Sequence, residues 1–283
     1  MRERLRELSL SQPLVVGMSL ICFVMIFRLL DIFIFRLDEI LGEIILSKSI
    51  GFIVVILFVK SIGNKMSDIG FNLKNKMSII IIGVLMTIGL MILGYCIEFV
   101  VFSSRSPQIA IAAIDPKAGV TGSFGFAIFL ILGNVINCFM EEGLFRGILI
   151  PMFNRKYTVR MTIILQGILF GIWHIPWAFK WYISGTVSGM NGFIMALVIN
   201  SMPMILMGII FGVMYYYTES IWTPWISHFL INSILNIIHI SINGTLDQGV
   251  TIRMAVFQAA FTILIPVIIK LSNRFNKVNI TQY

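Results

Sequence analysis

Residues 124–150 read FGFAIFLILGNVINCFMEEGLFRGILI, an apolar run that carries Glu141, Glu142 and Arg146 in its second half. A helix crosses the hydrocarbon core of a bilayer in about 20 mostly apolar residues, so the run is long enough to span. An ionisable side chain at that depth costs roughly 2.5–3.5 kcal/mol on insertion scales and therefore faces a partner or water. Glu142 and Arg146 stand four apart with the acid first, the favourable order for an ion pair within a helix. Glu141 lies about 100° away round the helix and finds no cation in it. Two acids with one cation read as one structural carboxylate and one chemical carboxylate.

The rest of the chain supports a membrane setting. Of 283 residues, 58% are hydrophobic and 12% charged, about half the charged fraction of a soluble domain. Eight spans are expected, at about 14–36, 42–60, 78–102, 124–150, 160–182, 192–216, 221–242 and 253–272. Glu43, Lys48 and Ser49 make the second the weakest. The expected architecture is all-α: a polytopic transmembrane helix bundle enclosing an intramembrane active-site cavity. It forms one integral membrane domain over 1–283, with a motif-bearing core at about 125–240. Ser104–Ser123, with Pro107, Asp115, Pro116, Lys117 and Gly119, is the longest expected exposed loop. No soluble domain, low-complexity tract or internal repeat stands out.

The net charge of +8 is not a nucleic-acid signature, because the basic residues occupy short stretches between apolar runs. There they orient the chain and meet anionic head groups. Arg2, Arg4, Arg6, Lys60, Lys65, Lys74, Lys76, Arg155, Lys156, Arg160, Lys270, Arg274 and Lys277 fall on one side of an eight-span layout. Arg36, Lys48, Arg105, Lys117, Lys180 and Arg253 fall on the other. The excess places both termini in the cytoplasm. The basic stretch Met1–Gln12 precedes an apolar run too long for a signal-peptide core, so a retained first span is expected. Cys22, Cys96 and Cys138 have neither metal nor disulfide spacing and read as small buried hydrophobes.

Two later runs carry further polar groups. Phe170 and His174 share a helix face, with Pro176 just beyond, and Trp173, Trp177 and Trp181 read as an aromatic belt at the membrane surface. His228 and Asn232, four apart, stack imidazole on carboxamide. Asn236, His239 and Asn243 continue that stripe as an expected interhelical seam. Gly143 with Gly147, Gly167 with Gly171 and Gly208 with Gly212 are small pairs whose spacing lets helices approach closely. Counted at 1.5 Å per residue from the cytoplasmic ends, Glu141, His174 and His228 lie at depths of about 18, 21 and 12 Å, close enough to share a level.

An acid, two imidazoles and an amide in a low-dielectric setting suit peptide hydrolysis. Glu141 can take a proton from water that His174 positions. His228 and Asn232 can donate hydrogen bonds to the oxyanion, while Glu142 and Arg146 hold the helix. A second chemistry stays open, since Glu141, His174 and His228 are sufficient ligands for a catalytic zinc, although no His-Glu-x-x-His occurs. Serine, cysteine and aspartyl mechanisms have less support. No Gly-x-Ser-x-Gly is present, Ser227 points about 100° from His228, Cys138 reads as packing, and Asp31 has no Asp partner in another span. A transporter would use similar residues, but transporters show repeated halves round a midplane site and none is found here.

Glu141-Glu142-x-x-x-Arg146, Phe170-x-x-x-His174 and His228-x-x-x-Asn232, in this order on successive helices, together resemble the three motifs of the CPBP family. That family contains CAAX prenyl endopeptidases and Abi-type bacteriocin-immunity proteins. The layout and Asn232 look most like the branch of the Ras and a-factor converting enzyme, in a prokaryotic or archaeal form. The resemblance covers about 125–240 and leaves the first three spans without a diagnostic motif. It implies removal of the C-terminal tripeptide from a prenylated Cys-a-a-X protein by glutamate-activated water. Glu141, His174, His228 and Asn232 would be catalytic, with Glu142, Arg146 and Phe170 supporting; no cofactor is favoured, and zinc is the alternative. The implied partners are a prenylated CAAX protein or peptide and membrane lipids, with no nucleic acid. The rival within the family is an immunity or processing protein with another substrate or a non-enzymatic role.

Overall fold

The computed structural model describes residues 2–41, 44–74, 76–115 and 120–280. Glu43, Pro116, Lys117 and Gly119 of the reading above lie outside them. A short basic helix, α1 (Arg2–Ser11), leads through Gln12 into α2 (Pro13–Leu29), whose Pro13 sits in the first turn where no N–H is needed. α2 runs on as a π-helical stretch, Leu30–Phe35, closed by Arg36 in the left-handed region at φ 51°. Asp31 in that stretch is fully buried, and its Oδ2 accepts hydrogen bonds from Ser47 N at 2.8 Å and Ser47 Oγ at 2.9 Å. Ser47 lies in the first turn of α3 (Ile45–Ser61), so the carboxylate caps that helix where its N–H groups lack partners.

α4 (Met77–Val101) is followed by three short strands, β1 (Gln108–Ile111), β2 (Ala113–Asp115) and β3 (Val120–Gly122). α5 (Phe124–Glu141), α6 (Val159–Ile183), α7 (Gly189–Thr218) and α8 (Trp222–Ile237) come next. β4 (Ile238–Ile242) and β5 (Thr245–Leu246) precede the last helix, α9 (Val250–Ile280). The result is an all-α bundle with a small β cap at one end. β4 pairs antiparallel with β1 and β5, in a register that sets Gln108 opposite Ser241, while β2 and β3 form a hairpin.

Among the described residues six helical stretches are long and apolar enough to cross a membrane: Pro13–Phe35, Met77–Val101, Phe124–Phe153, Val159–Ile183, Gly189–Thr218 and Val250–Val267. The other two expected spans are helical but shorter, with 17 residues in α3 and 16 in α8. At 1.5 Å per residue α8 reaches about 24 Å, less than the roughly 30 Å hydrocarbon core. It stops because Ile238 turns extended, at φ −110° and ψ 120°, and opens β4. Ile238, Ile240 and Ile242 alternate with His239 and Ser241, the period of a strand. The helical seam expected through His239 and Asn243 is thereby corrected: the stripe ends at Asn236, which accepts from Asn134 Nδ2 at 2.9 Å and donates to Ile114 O at 2.8 Å. The expected loop at 104–123 likewise supplies strands to the cap.

α6 and α7 pack closely through their glycines. A Cβ added to Gly208 would lie 2.8 Å from Gly167 Cα, and one on Gly171 would lie 3.0 Å from Ser201 O. Backbone therefore touches backbone, as the glycine spacing requires. The aromatic belt is a second correction, because Trp173 and Trp177 are 0% and 1% exposed and face the bundle. Cys138 is buried, but Cys22 and Cys96 are exposed on the outer surface.

Candidate active site

α5 ends at Glu141, and the chain continues as a π-helix from Glu142 to Leu149 before a short helix at Ile150–Phe153. Every residue from Glu141 to Ile150 is buried. Pro151 lacks an N–H and could not have donated back to Gly147, so one α-type bond is missing here in any case. Widened turns of this kind recur at functional positions.

The π segment presents Glu142 and Arg146 to each other and to α8. Glu142 Oε1 accepts from Arg146 Nη1 at 3.2 Å and from His228 Nδ1 at 2.8 Å. The Arg146 guanidinium lies between two rings, 4.4 Å from the centre of Phe170 and 5.2 Å from that of Phe211. Its Nη2 donates to Gly208 O at 3.4 Å, a carbonyl that also accepts from Gln166 Nε2 at 2.6 Å. A fully buried cation is thus held by a carboxylate, two π faces and the backbone of α7, the conditions under which burial of charge is tolerated.

Each imidazole has its Nδ1 engaged. A carbonyl oxygen can only accept, so His174 Nδ1 donates to Phe170 O at 2.8 Å, and in the neutral ring the lone pair falls on Nε2. His228 Nδ1 faces the Glu142 carboxylate, and its Nε2 lies 3.8 Å from Glu141 Oε2. The Phe170 ring meets both imidazoles edge-on, with centroids 4.8 Å from His174 and 6.2 Å from His228. Phe211 stacks on His228 at 5.2 Å and 29°. Asn200 of α7 donates to His174 O at 2.6 Å and fixes the backbone just before Pro176.

Glu141 has two differently occupied oxygens. Oε1 accepts from Trp173 Nε1 at 2.9 Å and has Arg28 Nη1 at 3.9 Å, while Arg28 stacks over the Trp173 ring at 4.3 Å. Oε2 points to His228. Glu141, Glu142, Arg146, Phe170, His174 and His228 are therefore gathered from three spans, all between 0% and 7% exposed. Asn232 is half-buried one turn beyond His228 and makes no hydrogen bond among the described residues. The side chains pack against one another, and four crevices lined by described residues include none of Glu141, His174, His228 and Asn232.

Among the described residues no three of His, Cys, Asp and Glu are placed to hold a metal ion. Ser227 Oγ accepts from Thr87 Oγ1 at 2.8 Å, tying α4 to α8 beside the site.

Residues 123–234 match the Rce1-like family, type II CAAX prenyl endopeptidases. The Rce1-like segment starts just before α5 and ends just after Asn232, so it contains all three motifs. Together with the six apolar helices, the match supports an integral membrane protein whose segment 123–234 is similar to CAAX-type intramembrane proteases. No curated protein matches the chain. Arg28 lies outside the Rce1-like segment, and sequence reasoning missed it; a lone arginine in an apolar run was the available signal. Trp173 was missed because its neighbours suggested a belt, and Gln166 and Phe211 carry no spacing that points to the site.

Proposed function

We propose that the chain removes the last three residues from prenylated Cys-a-a-X proteins, using water activated by Glu141 and no metal ion. The observation that carries this reading is the asymmetry of Glu141: Oε1 is held by Trp173 and flanked by Arg28, and Oε2 faces His228 Nε2 at 3.8 Å. That gap is too long for a hydrogen bond, yet a water off the line between the two atoms reaches both. Glu141 takes a proton from this water as its oxygen attacks the scissile carbonyl, and the proton then passes to the leaving amine. His174 Nε2 positions the water. The oxyanion accepts from the Asn232 amide and, when that nitrogen carries a proton, from His228 Nε2. Glu142 holds Nδ1 of His228 and so fixes which nitrogen the ring offers to the reaction.

The family match supports the prenylated substrate. The Lys/Arg bias supports both termini on the cytoplasmic side, where such tails are found. The test is cleavage of a farnesylated CAAX peptide by detergent-purified protein, beside its non-prenylated counterpart. Cleavage of the farnesylated peptide alone is expected, unaffected by chelators and abolished in Glu141→Gln. If neither peptide is cut, the prenyl-protein reading falls and another substrate or the immunity role replaces it. Stoichiometric zinc with loss of activity on chelation would overturn the metal-free mechanism.

A further inference from the structure

Arg6 of α1 and Arg155 line one crevice with Ser9, Asn64, Gly147 and Pro151, at the end of the bundle where the helix after α5 meets α1. We propose that this crevice binds the phosphate of an anionic phospholipid headgroup. Its interior measures about 60 Å³. One water needs about 10–15 Å³ of such space, so the crevice admits a group of roughly four to six heavy atoms, the size of a phosphate.

Neither guanidinium makes an ion pair among the described residues, and Glu3 and Glu7, the acids of α1, pair with neither. The walls are fixed: Lys156 Nζ donates to Ser11 O at 2.6 Å, which ties the end of α1 to the segment after Pro151. Ser9 Oγ donates to Arg6 O at 2.7 Å. Arg2 adds a third cation nearby, against Gly63, where an added Cβ would lie 3.0 Å from its Nη2. Like charges brought to one pocket repel, and an anion between them reverses the sign of that term. The guanidinium fork matches a phosphate with two parallel N–H donors.

Placement selects lipid over free phosphate. α1 joins the first span through a single residue, and its Leu8 and Leu10 are 37% and 40% exposed beside its basic residues. A short helix of that character lies in the interface plane, which sets Arg6 at headgroup depth. Basic pockets between spans at that depth take anionic headgroups. This site does not depend on the peptidase reading.

The experiment is native mass spectrometry of the full-length protein in detergent, titrated with dioleoylphosphatidylglycerol or dioleoylphosphatidylcholine. Preferential retention of one phosphatidylglycerol is expected, weakened about tenfold or more in Arg6→Gln/Arg155→Gln and unchanged in a Lys65→Gln/Lys74→Gln control of equal charge loss. Should the double variant fail to fold, Arg155→Glu alone is expected to give the same loss. Undiminished retention in the arginine variants, or equal loss in the control, overturns the site. Displacement by equimolar inorganic phosphate would assign the crevice to a free anion and overturn the lipid.

Discussion

Arg28 Nη1 stands 3.9 Å from Glu141 Oε1, and the two residues come from different spans, only one of which carries a family motif. The guanidinium also covers the face of Trp173, whose N–H donates to the same carboxylate oxygen. Arg28 and Trp173 together therefore orient the carboxylate proposed as the base.

Replacing Arg28 by Met should lower kcat for the farnesylated peptide by about tenfold, since losing a charged neighbour costs on the order of 1.5 kcal/mol. KM should change little, because Arg28 lies behind the acid. Steady-state kinetics would show this; an unchanged kcat removes Arg28 from the site.

Glu142→Ala leaves Arg146 buried without its carboxylate, a change that costs about 3–5 kcal/mol. A large drop in the thermal unfolding midpoint and in folded yield is expected, with Glu142→Gln milder because an amide still accepts. Both should lose activity, since His228 Nδ1 loses its anion. Wild-type stability in Glu142→Ala would contradict the packing described for Arg146.

Gly208→Ala puts a methyl group 2.8 Å from Gly167 Cα, where no side-chain rotation relieves it. The helices must separate, at about 1–3 kcal/mol, carrying Gly208 O away from Gln166 and Arg146. Gly89→Ala is the contrast, because nothing lies within 4 Å of that added carbon and a helical alanine is favoured over glycine by about 0.5–1 kcal/mol. Melting the two variants side by side should move the midpoint in opposite directions.

At the β cap, His239 donates from Nδ1 to Asp247 and from Nε2 to Ala112 O, so both nitrogens carry protons and the ring is charged. Burial opposes that charge, but the hydrogen bond and charge of Asp247 outweigh it and raise the pKa above 6.5. Burial likewise opposes ionisation of Asp247, while His239 and Arg253 pull its pKa below 3.8. The contribution of His239 is full below 6.5 and fades as pH rises through its higher folded value. That of Asp247 is full above 3.8 and fades as pH falls through its lower one. Unfolding midpoints measured across pH should peak between these limits, and His239→Gln should flatten the alkaline side. An unaltered alkaline side in that variant would rule His239 out as its cause.

Most of the bundle was legible because bilayer thickness imposes a length that apolar runs reveal directly, and a helix stands in every expected window. The tail of α8 was misread because Ile238–Ile242 is apolar enough to extend a span while its alternation is that of a strand. Spacing alone exposed the pairing of Glu142 with Arg146, since both lie on one helix. The contact of Glu142 with His228 and of Glu141 with Trp173 depends on how separate helices turn toward each other. A tryptophan suits a membrane surface and a buried hydrogen bond equally well, so Trp173 carried no mark of its role.

The π-helical stretch from Glu142 to Leu149 sets a phase between the two halves of its span. Deleting Ile148 would let the ladder close into ordinary i→i−4 bonds, with one half swung by about 100° against the other. Every motif letter and every motif spacing would survive that deletion. The acids would nonetheless be dialled away from His228 and Trp173, giving a chain that still looks like a peptidase on paper and has lost the alignment to act as one.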